Sequence, residues 1–410
     1  MKTETIAAIA TAQGQGGIGV IRISGEEAID IADKIFKAVS GKKLKEIPGY
    51  TAKFGKVCDK DEEVDEAVAL VFRAPHSYTG ENVVEVSCHG GLYITKRILR
   101  LIFEAGARPA EPGEFTKRAF LNGKIDLIKA ESVMKIIEAT GKNAARVAVA
   151  VNEGAISKKV EVIKNELLEL SARLSVWADY PDDESIDVDF DSVKEILIEV
   201  KRKLEFLIKN YDTGKVLING VKTAIVGAPN VGKSTLMNML SGVEKSIVTD
   251  IPGTTRDIVE ETVNIGDLTL RISDTAGIRE TSDLVENIGV NRAKACAKFA
   301  ELVLFVIDGS RELTEEEIIL LKSIKENKSI VVLNKCDLIR RVDGNYLKDF
   351  AKEMVEISAK NGEGIEFLKE SILKVLGTEK IEPSEGILVS ERQFIAVKNV
   401  LKSIEEAQEA

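Results

Sequence analysis

Histidine, cysteine and tryptophan are scarce in this 410-residue chain, with two, four and one of each. Cys58, Cys88, Cys296 and Cys336 lie far apart, form no C-x-x-C and have no histidine pair at zinc spacing, so no structural zinc is expected and the thiols read as reduced, cytosolic ones. Long apolar runs are missing too, and nothing approaches membrane-spanning length. The amino terminus, Met1-Lys2-Thr3-Glu4-Thr5-Ile6, carries an acid beside its one lysine and is no signal peptide. A soluble, cytoplasmic protein with no membrane partner is expected. Positive charge is not in excess either. The formal net charge of −10 argues against broad attraction to nucleic acid or acidic lipid, so any nucleic-acid partner must be recognised locally. Internal repeats and low-complexity runs are absent. What remains, 44% hydrophobic and 30% charged residues, is an ordinary globular composition with enough length for about two to four domains.

The most informative stretch is Gly227-Ala228-Pro229-Asn230-Val231-Gly232-Lys233-Ser234, which fits G-x-x-x-x-G-K-[ST] without a mismatch. Its glycines let backbone N–H groups close around phosphates. Lys233 reaches the terminal phosphate oxygens, and the Ser234 hydroxyl is placed to ligate Mg²⁺. Val221 to Val226 reads as a buried strand before it. Thr235 to Leu240 reads as a helix after it, whose N-terminus would face the anion. Asp274-Thr275-Ala276-Gly277 follows a second strand, Leu268 to Ser273, where a carboxylate can hold Mg²⁺ through water. Asn334-Lys335-Cys336-Asp337 ends another strand, and Asp337 can accept from the ring N–H and exocyclic amine of guanine, a pair adenine does not offer. Ser358-Ala359-Lys360 follows the last strand, where a backbone N–H can touch the guanine carbonyl. Four motifs in this order specify a GTP site. Between the first two lies Thr249-Asp250-Ile251-Pro252-Gly253-Thr254-Thr255-Arg256-Asp257, the place of a first switch loop with a Thr to complete the Mg²⁺ shell. Ile278 stands where Ras-like proteins carry the Gln that orients the attacking water. Arg279, Glu280, Asp283 and Glu286 are nearby substitutes, and spacing alone does not choose among them.

Three segments organise the chain. Residues 218–377 alternate short apolar strands (Leu302 to Ile307, Ser329 to Leu333 and Met354 to Ile357 besides those above) with helices, the doubly wound α/β pattern. Thr140 to Trp177 and Ser192 to Tyr211 are helical in period, with a break at Asp179-Tyr180-Pro181-Asp182-Asp183-Glu184. The tail from Ser384 is helical again, so the α/β unit reads as an insertion between helices of one bundle. Residues 1 to about 118 form a third, α/β region, with strands at Val20 to Ile23 and Val83 to Val86 flanking helical stretches. Gly14-x-Gly16-x-x-Gly19 fits the dinucleotide fingerprint, but a strand follows it instead of a helix, and it reads as a turn.

Five stretches carry a family resemblance: Gly16-Gly17-Ile18-Gly19-Val20-Ile21-Arg22-Ile23-Ser24-Gly25, Ser77-Tyr78-Thr79-Gly80-Glu81, His89-Gly90-Gly91, Pro112-Gly113-Glu114-Phe115-Thr116-Lys117-Arg118-Ala119-Phe120-Leu121-Asn122-Gly123-Lys124, and Gly253-Thr254-Thr255-Arg256-Asp257. With them the chain resembles the MnmE (TrmE) family of tRNA-modification GTPases over residues 3 to 400. The resemblance implies four segments: residues 1–118, a tetrahydrofolate-binding and dimerising domain; 119–217, the first part of a helical domain; 218–377, an inserted Ras-like GTPase domain; and 378–410, the helical domain's return.

It further implies a GTPase stimulated by K⁺, a cation that replaces an arginine finger. Asn230, Thr249, Ile251 and Thr254 would be its ligands, Ser234 and Thr255 the Mg²⁺ pair, and Glu286 the water-orienting acid, with Lys233 and Thr255 serving catalysis beside it. Arg22, Glu85 and Lys124 would contact 5-formyltetrahydrofolate or a related folate. A homodimer would join an MnmG-like flavoprotein, which brings FAD, in a heterotetramer that installs a carboxymethylaminomethyl-type group at C5 of the wobble uridine of certain tRNAs, with carbon from a formyl- or methylene-tetrahydrofolate. The family ends in a longer helix and a Cys-x-Gly-Lys tail implicated in that chemistry, whereas this sequence stops at Ala410. GTP hydrolysis is expected of the chain as given, while the modification step draws on that tail in the family. The alternative is a ribosome-assembly or signalling switch with a non-catalytic amino-terminal dimerisation module.

Overall fold

The computed structural model describes residues 4–180, 189–242, 260–266, 268–273, 296–325, 327–377 and 386–409. The chain divides into two compact units, residues 1–130 and 131–410.

The first unit is built on a seven-stranded sheet. Its strands are β1 (Ile6–Ile9), β2 (Ile18–Ser24), β3 (Phe36–Ala38), β4 (Thr51–Asp59), β5 (Glu62–Phe72), β6 (Val83–His89) and β7 (Arg108–Pro109), in the order β3-β4-β5-β6-β2-β1-β7. Neighbours pair antiparallel except β7, which runs parallel to β1. The period of two sorts the side chains. Ile21 and Ile23 of β2 and Val84 and Val86 of β6 enter a core with Ile31 of helix α1 (Ala28–Ile35) and Ile98 and Ile102 of α2 (Leu92–Glu104), while Arg22 and Glu85 turn the other way. The helical stretches expected between Ile23 and Val83 amount to α1 alone among the regular α-helices. The rest is the long β4–β5 hairpin. Its inward positions Ala67, Ala69 and Val71 follow a period of two, but alanine and the acidic start Glu62–Glu66 have no strand preference, which hid the strand. The loop after Gly14 runs into β2 and not into a helix, as the rejected fingerprint required. Helix α3 (Glu114–Leu121) follows β7, and α4 (Leu127–Ile137) runs past the end of this unit.

The second unit begins with α5 (Lys142–Asn152), α6 (Ala155–Asp179), α7 (Phe190–Lys209) and α8 (Tyr211–Asn219). The expected helix from Thr140 to Trp177 is thus two helices, because Gly154 takes a left-handed conformation (φ 92°) at the start of α6. The chain then forms β8 (Val221–Val226), α9 (Lys233–Ser241), β9 (Glu260–Ile265), β10 (Leu268–Ser273), β11 (Leu302–Asp308), α10 (Glu315–Ser323), β12 (Ser329–Asn334), α11 (Gly344–Lys348), β13 (Glu353–Glu356) and α12 (Ile365–Leu376). It returns as α13 (Glu391–Glu409), which packs on α7. The sheet order is β13-β12-β11-β8-β10-β9, parallel except for β9 against β10. Every residue of β11 and β12 is buried, as helices on both faces demand. The chain winds to opposite sides of β8, so the crevice at the carboxyl ends of β8 and β11 is the topological switch point where such sheets bind ligands. Among the described residues, no helix is long and apolar enough to cross a membrane.

Candidate functional site

The Gly227–Ser234 loop leaves the carboxyl end of β8 at that crevice. A Cβ on Gly227 would strike the carbonyl of Val306 in β11, so the loop starts pressed against the sheet. Asn230 (φ 61°) and Gly232 (φ 97°) turn the backbone left-handed, and Gly232 caps α9. Successive turned peptides of this kind point their N–H groups into one concavity that suits an oligophosphate. Lys233, the first residue of α9, donates from Nζ to the carbonyls of Gly227 (3.0 Å) and Ala228 (2.7 Å). Burial holds its pKa below the ordinary lysine value. Ser234 and Thr235 follow, exposed on the first turn of the helix.

Asn334, the last residue of β12, ties this loop to two others. Its Nδ2 donates to the carbonyl of Val231 (2.8 Å), and its Oδ1 accepts from the N–H of Ala359 (2.9 Å). Beside it the Asp337 carboxylate accepts from Ser358 Oγ (2.6 Å), a bond that holds its pKa below the ordinary aspartate value and keeps it an acceptor. Lys335, at φ 65°, pairs from Nζ with Asp308 Oδ2 (2.6 Å) at the end of β11, while Asp308 Oδ1 also accepts from Ser310 N–H and Oγ. Burial pushes the Asp308 carboxyl up, but Lys335 and Ser310 together hold it down. Thus Val231, Gly232, Asn334, Asp337, Ser358 and Ala359 meet in one bonded set, with Lys360 exposed next to it. Asp308 was not singled out from the sequence; its signal is an acid closing an otherwise apolar strand. Thr249, Asp250, Ile251, Pro252, Gly253, Thr254, Thr255, Asp274, Thr275, Ala276, Gly277 and Glu286 lie outside the described residues, as do Ile278, Arg279, Glu280 and Asp283.

The first unit presents a second candidate site on the sheet face opposite its core. Arg22 and Glu85 are register partners on β2 and β6 and form an ion pair (2.7 Å). The Arg22 guanidinium lies 5.5 Å from the Tyr78 ring centre and 5.6 Å from that of Phe115. Lys124 donates from Nζ to the carbonyl of Pro75 (3.0 Å), at the start of the loop that carries Tyr78. An arginine, a carboxylate and two rings fit a flat heterocycle with a donor edge and an acidic tail. In the sequence Tyr78 and Phe115 stand inside longer motifs with no signal of their own, yet they flank the arginine. Arg118, 6% exposed, pairs with Glu81 (3.0 Å) and Glu114 (2.9 Å), and Glu114 accepts from both terminal guanidinium nitrogens, Nη1 and Nη2, of Arg108. The long motif from Pro112 to Lys124 therefore carries a buried ion network besides the Phe115 ring and the Lys124 ammonium.

A glycine-turned loop ending in Lys233, tied by Asn334 to the segment of Ser358 and Ala359 beside Asp337, makes the second unit a P-loop protein of the guanine-nucleotide class. The model described as GTP-binding protein TrmE N-terminus matches residues 5–124, and that of the MnmE helical domain matches residues 127–410. The tRNA modification GTPase MnmE of Clostridioides difficile (strain 630) is 43% identical over 98% of this chain and 89% of its own length. The protein of the same name from Bacillus subtilis (strain 168) is also 43% identical, over 98% and 89%. Among solved structures, Era in complex with MgGDPNP and a 16S ribosomal RNA segment is 34% identical over 38% of this chain and 56% of that one, with a TM-score of 0.28. The chain belongs to the MnmE family of tRNA modification GTPases.

Proposed function

We propose that this GTPase binds Mg²⁺·GTP in the cradle of Gly227–Ser234, hydrolyses it with K⁺ stimulation, and acts with an MnmG-like FAD protein on C5 of the wobble uridine of certain tRNAs. The carbon comes from a formyl- or methylene-tetrahydrofolate held at Arg22, Glu85 and Lys124. The observation that carries the nucleotide part is the Asn334 amide, which bonds the phosphate loop at Val231 and the base loop at Ala359. Lys233 and the loop N–H groups receive phosphate charge, and Asp337, kept ionised beside Ser358, selects guanine. Ser234 and Thr255 would hold Mg²⁺, Asn230, Thr249, Ile251 and Thr254 would hold K⁺, and Glu286 would orient the attacking water. Bound cations supply neutralisation of the charge that builds on the transferring phosphoryl group. The working division is 1–118, 119–217, 218–377 and 378–410, with dimerisation through the first segment. Supporting the folate part is the pairing of Arg22 with Glu85 between two rings, a face a simple switch GTPase does not need.

The test is GTP hydrolysis with Mg²⁺ in potassium against sodium at equal ionic strength, with Glu286→Ala beside the wild type. Strong potassium dependence and an inactive variant are expected; cation-independent turnover or an active variant overturns the mechanism. Calorimetry with 5-formyltetrahydrofolate, and its loss in Arg22→Ala, tests the folate site separately.

A further inference from the structure

In a chain of net charge −10 a concentration of positive charge is an exception, and one segment is such an exception. From Asp33 to Lys60 there are eight lysines and three carboxylates, a formal charge of +5. The segment runs from the end of α1 through the edge strand β3 and a 3₁₀ turn, Leu44–Glu46, into β4. Lys42, Lys43 and Lys45 are exposed on or beside that turn.

The turn is fixed from both sides. The Asp33 carboxylate accepts from the N–H groups of Leu44 (2.6 Å) and Lys45 (3.1 Å), and Arg73 donates to the carbonyls of Lys45 (2.8 Å) and Ile47 (2.9 Å). Leu44 is buried in the core. Tyr50 follows at φ 58°, a strained conformation for a bulky residue, with 68% of its surface exposed. Its N–H bonds to the Val71 carbonyl (2.7 Å), and its ring meets Phe72 edge-on, 5.5 Å between centres. Lysines on an edge strand blunt sheet-to-sheet pairing, and Lys37 on β3 does this. Lys42, Lys43 and Lys45 lie off the strand on a pinned backbone, which edge protection does not require.

We propose that the Lys42–Tyr50 turn is a contact surface for the phosphate backbone of a folded RNA, with the lysines meeting phosphates and the Tyr50 ring offering a stacking platform. Such contacts combine fixed positive charge with an exposed aromatic face. The inference rests on the reading of the chain as tRNA-modifying and adds where the RNA touches it.

The test is anisotropy of labelled tRNA transcript with the full chain across a KCl series, for wild type, Lys42→Ala/Lys43→Ala/Lys45→Ala and Tyr50→Gly. In the triple variant, affinity falls at least about tenfold at moderate salt, and the slope of log K against log[salt] shrinks by about 2–3, since each lost phosphate contact is worth roughly 0.7–0.9. Tyr50→Gly, which also relieves the backbone, weakens binding by about tenfold with the slope unchanged. RNA-free GTP hydrolysis stays at the wild-type rate in both variants, and the melting temperature of the triple variant stays at the wild-type value. Equal affinity and slope in wild type and triple variant overturn this surface and leave the tRNA reading standing, whereas a wild type that binds no tRNA at any salt overturns both. Phosphatidylserine vesicles bound by wild type and lost in the triple variant, with tRNA binding unmoved, assign the turn to a membrane surface instead.

Discussion

Asn334 Nδ2 bonds the Val231 carbonyl across 2.8 Å, joining residues 103 positions apart in sequence. Both groups are buried, so removing one strands the other at about 1–3 kcal/mol. Asn334→Ala is therefore expected to weaken GTP and GDP alike by about 10- to 100-fold in titrations with a fluorescent nucleotide. Gly232→Ala should do the same by another route, since its Cβ would collide with that amide. Wild-type affinity in both variants would show that the bridge does not shape the site.

Asp337 carries two accepting oxygens, one of them steadied by Ser358, and in the proposed function they read the base. In Asp337→Asn an amide faces the guanine donors, and GTP should weaken by about a hundredfold or more while xanthosine triphosphate gains. Competition between the two nucleotides measures it, and an unaltered preference for GTP removes Asp337 from base recognition.

Lys335 is positioned by Asp308, whose carboxylate is almost fully buried. Asp308→Asn keeps the shape and removes the charge that fixes the ammonium. Steady-state kinetics should show the GTP KM rising about three- to tenfold with kcat within about twofold, because the change touches nucleotide placement and not the reacting phosphate. A fall in kcat at constant KM contradicts this assignment.

Glu114 is held down to about 2, first by Arg108, then by the Glu111 N–H and Arg118 against the opposing effect of burial. A carboxyl depressed in the folded state contributes stability above its unfolded value, about 4.3, and loses it as pH falls towards 2. Melting temperature should drop through that window, and Glu114→Gln should flatten the drop while costing on the order of 3 kcal/mol at neutral pH. A variant with the wild-type acid profile rules Glu114 out as the source.

How much was legible follows from which physical signal each element leaves. β8, β11 and β12 are buried on both faces, so they stand out as short apolar runs, and the phosphate and base motifs announce themselves at their ends. The β4–β5 hairpin was not legible, because its inward alanines and acidic start do not resemble strand residues. The break at Gly154 was missed since one glycine inside a helical period is usually tolerated. Long-range charge pairing left no local trace either: Glu81 and Arg118 are 37 positions apart, and Lys335 and Asp308 are 27 apart. Arg22 and Glu85 were named through resemblance, and only the register of β2 on β6 makes them neighbours.

That register has a consequence for how this stretch of chain can change over time. Ile21, Arg22 and Ile23 are consecutive, yet the outer two fill the interior and the middle one pairs with Glu85 on the opposite face. Exchanging one letter in β2 perturbs one face and spares the other. Losing or gaining one letter would carry the guanidinium into the interior and the isoleucines out of it. The strand should accordingly accept replacements at many positions and shifts of reading length at none.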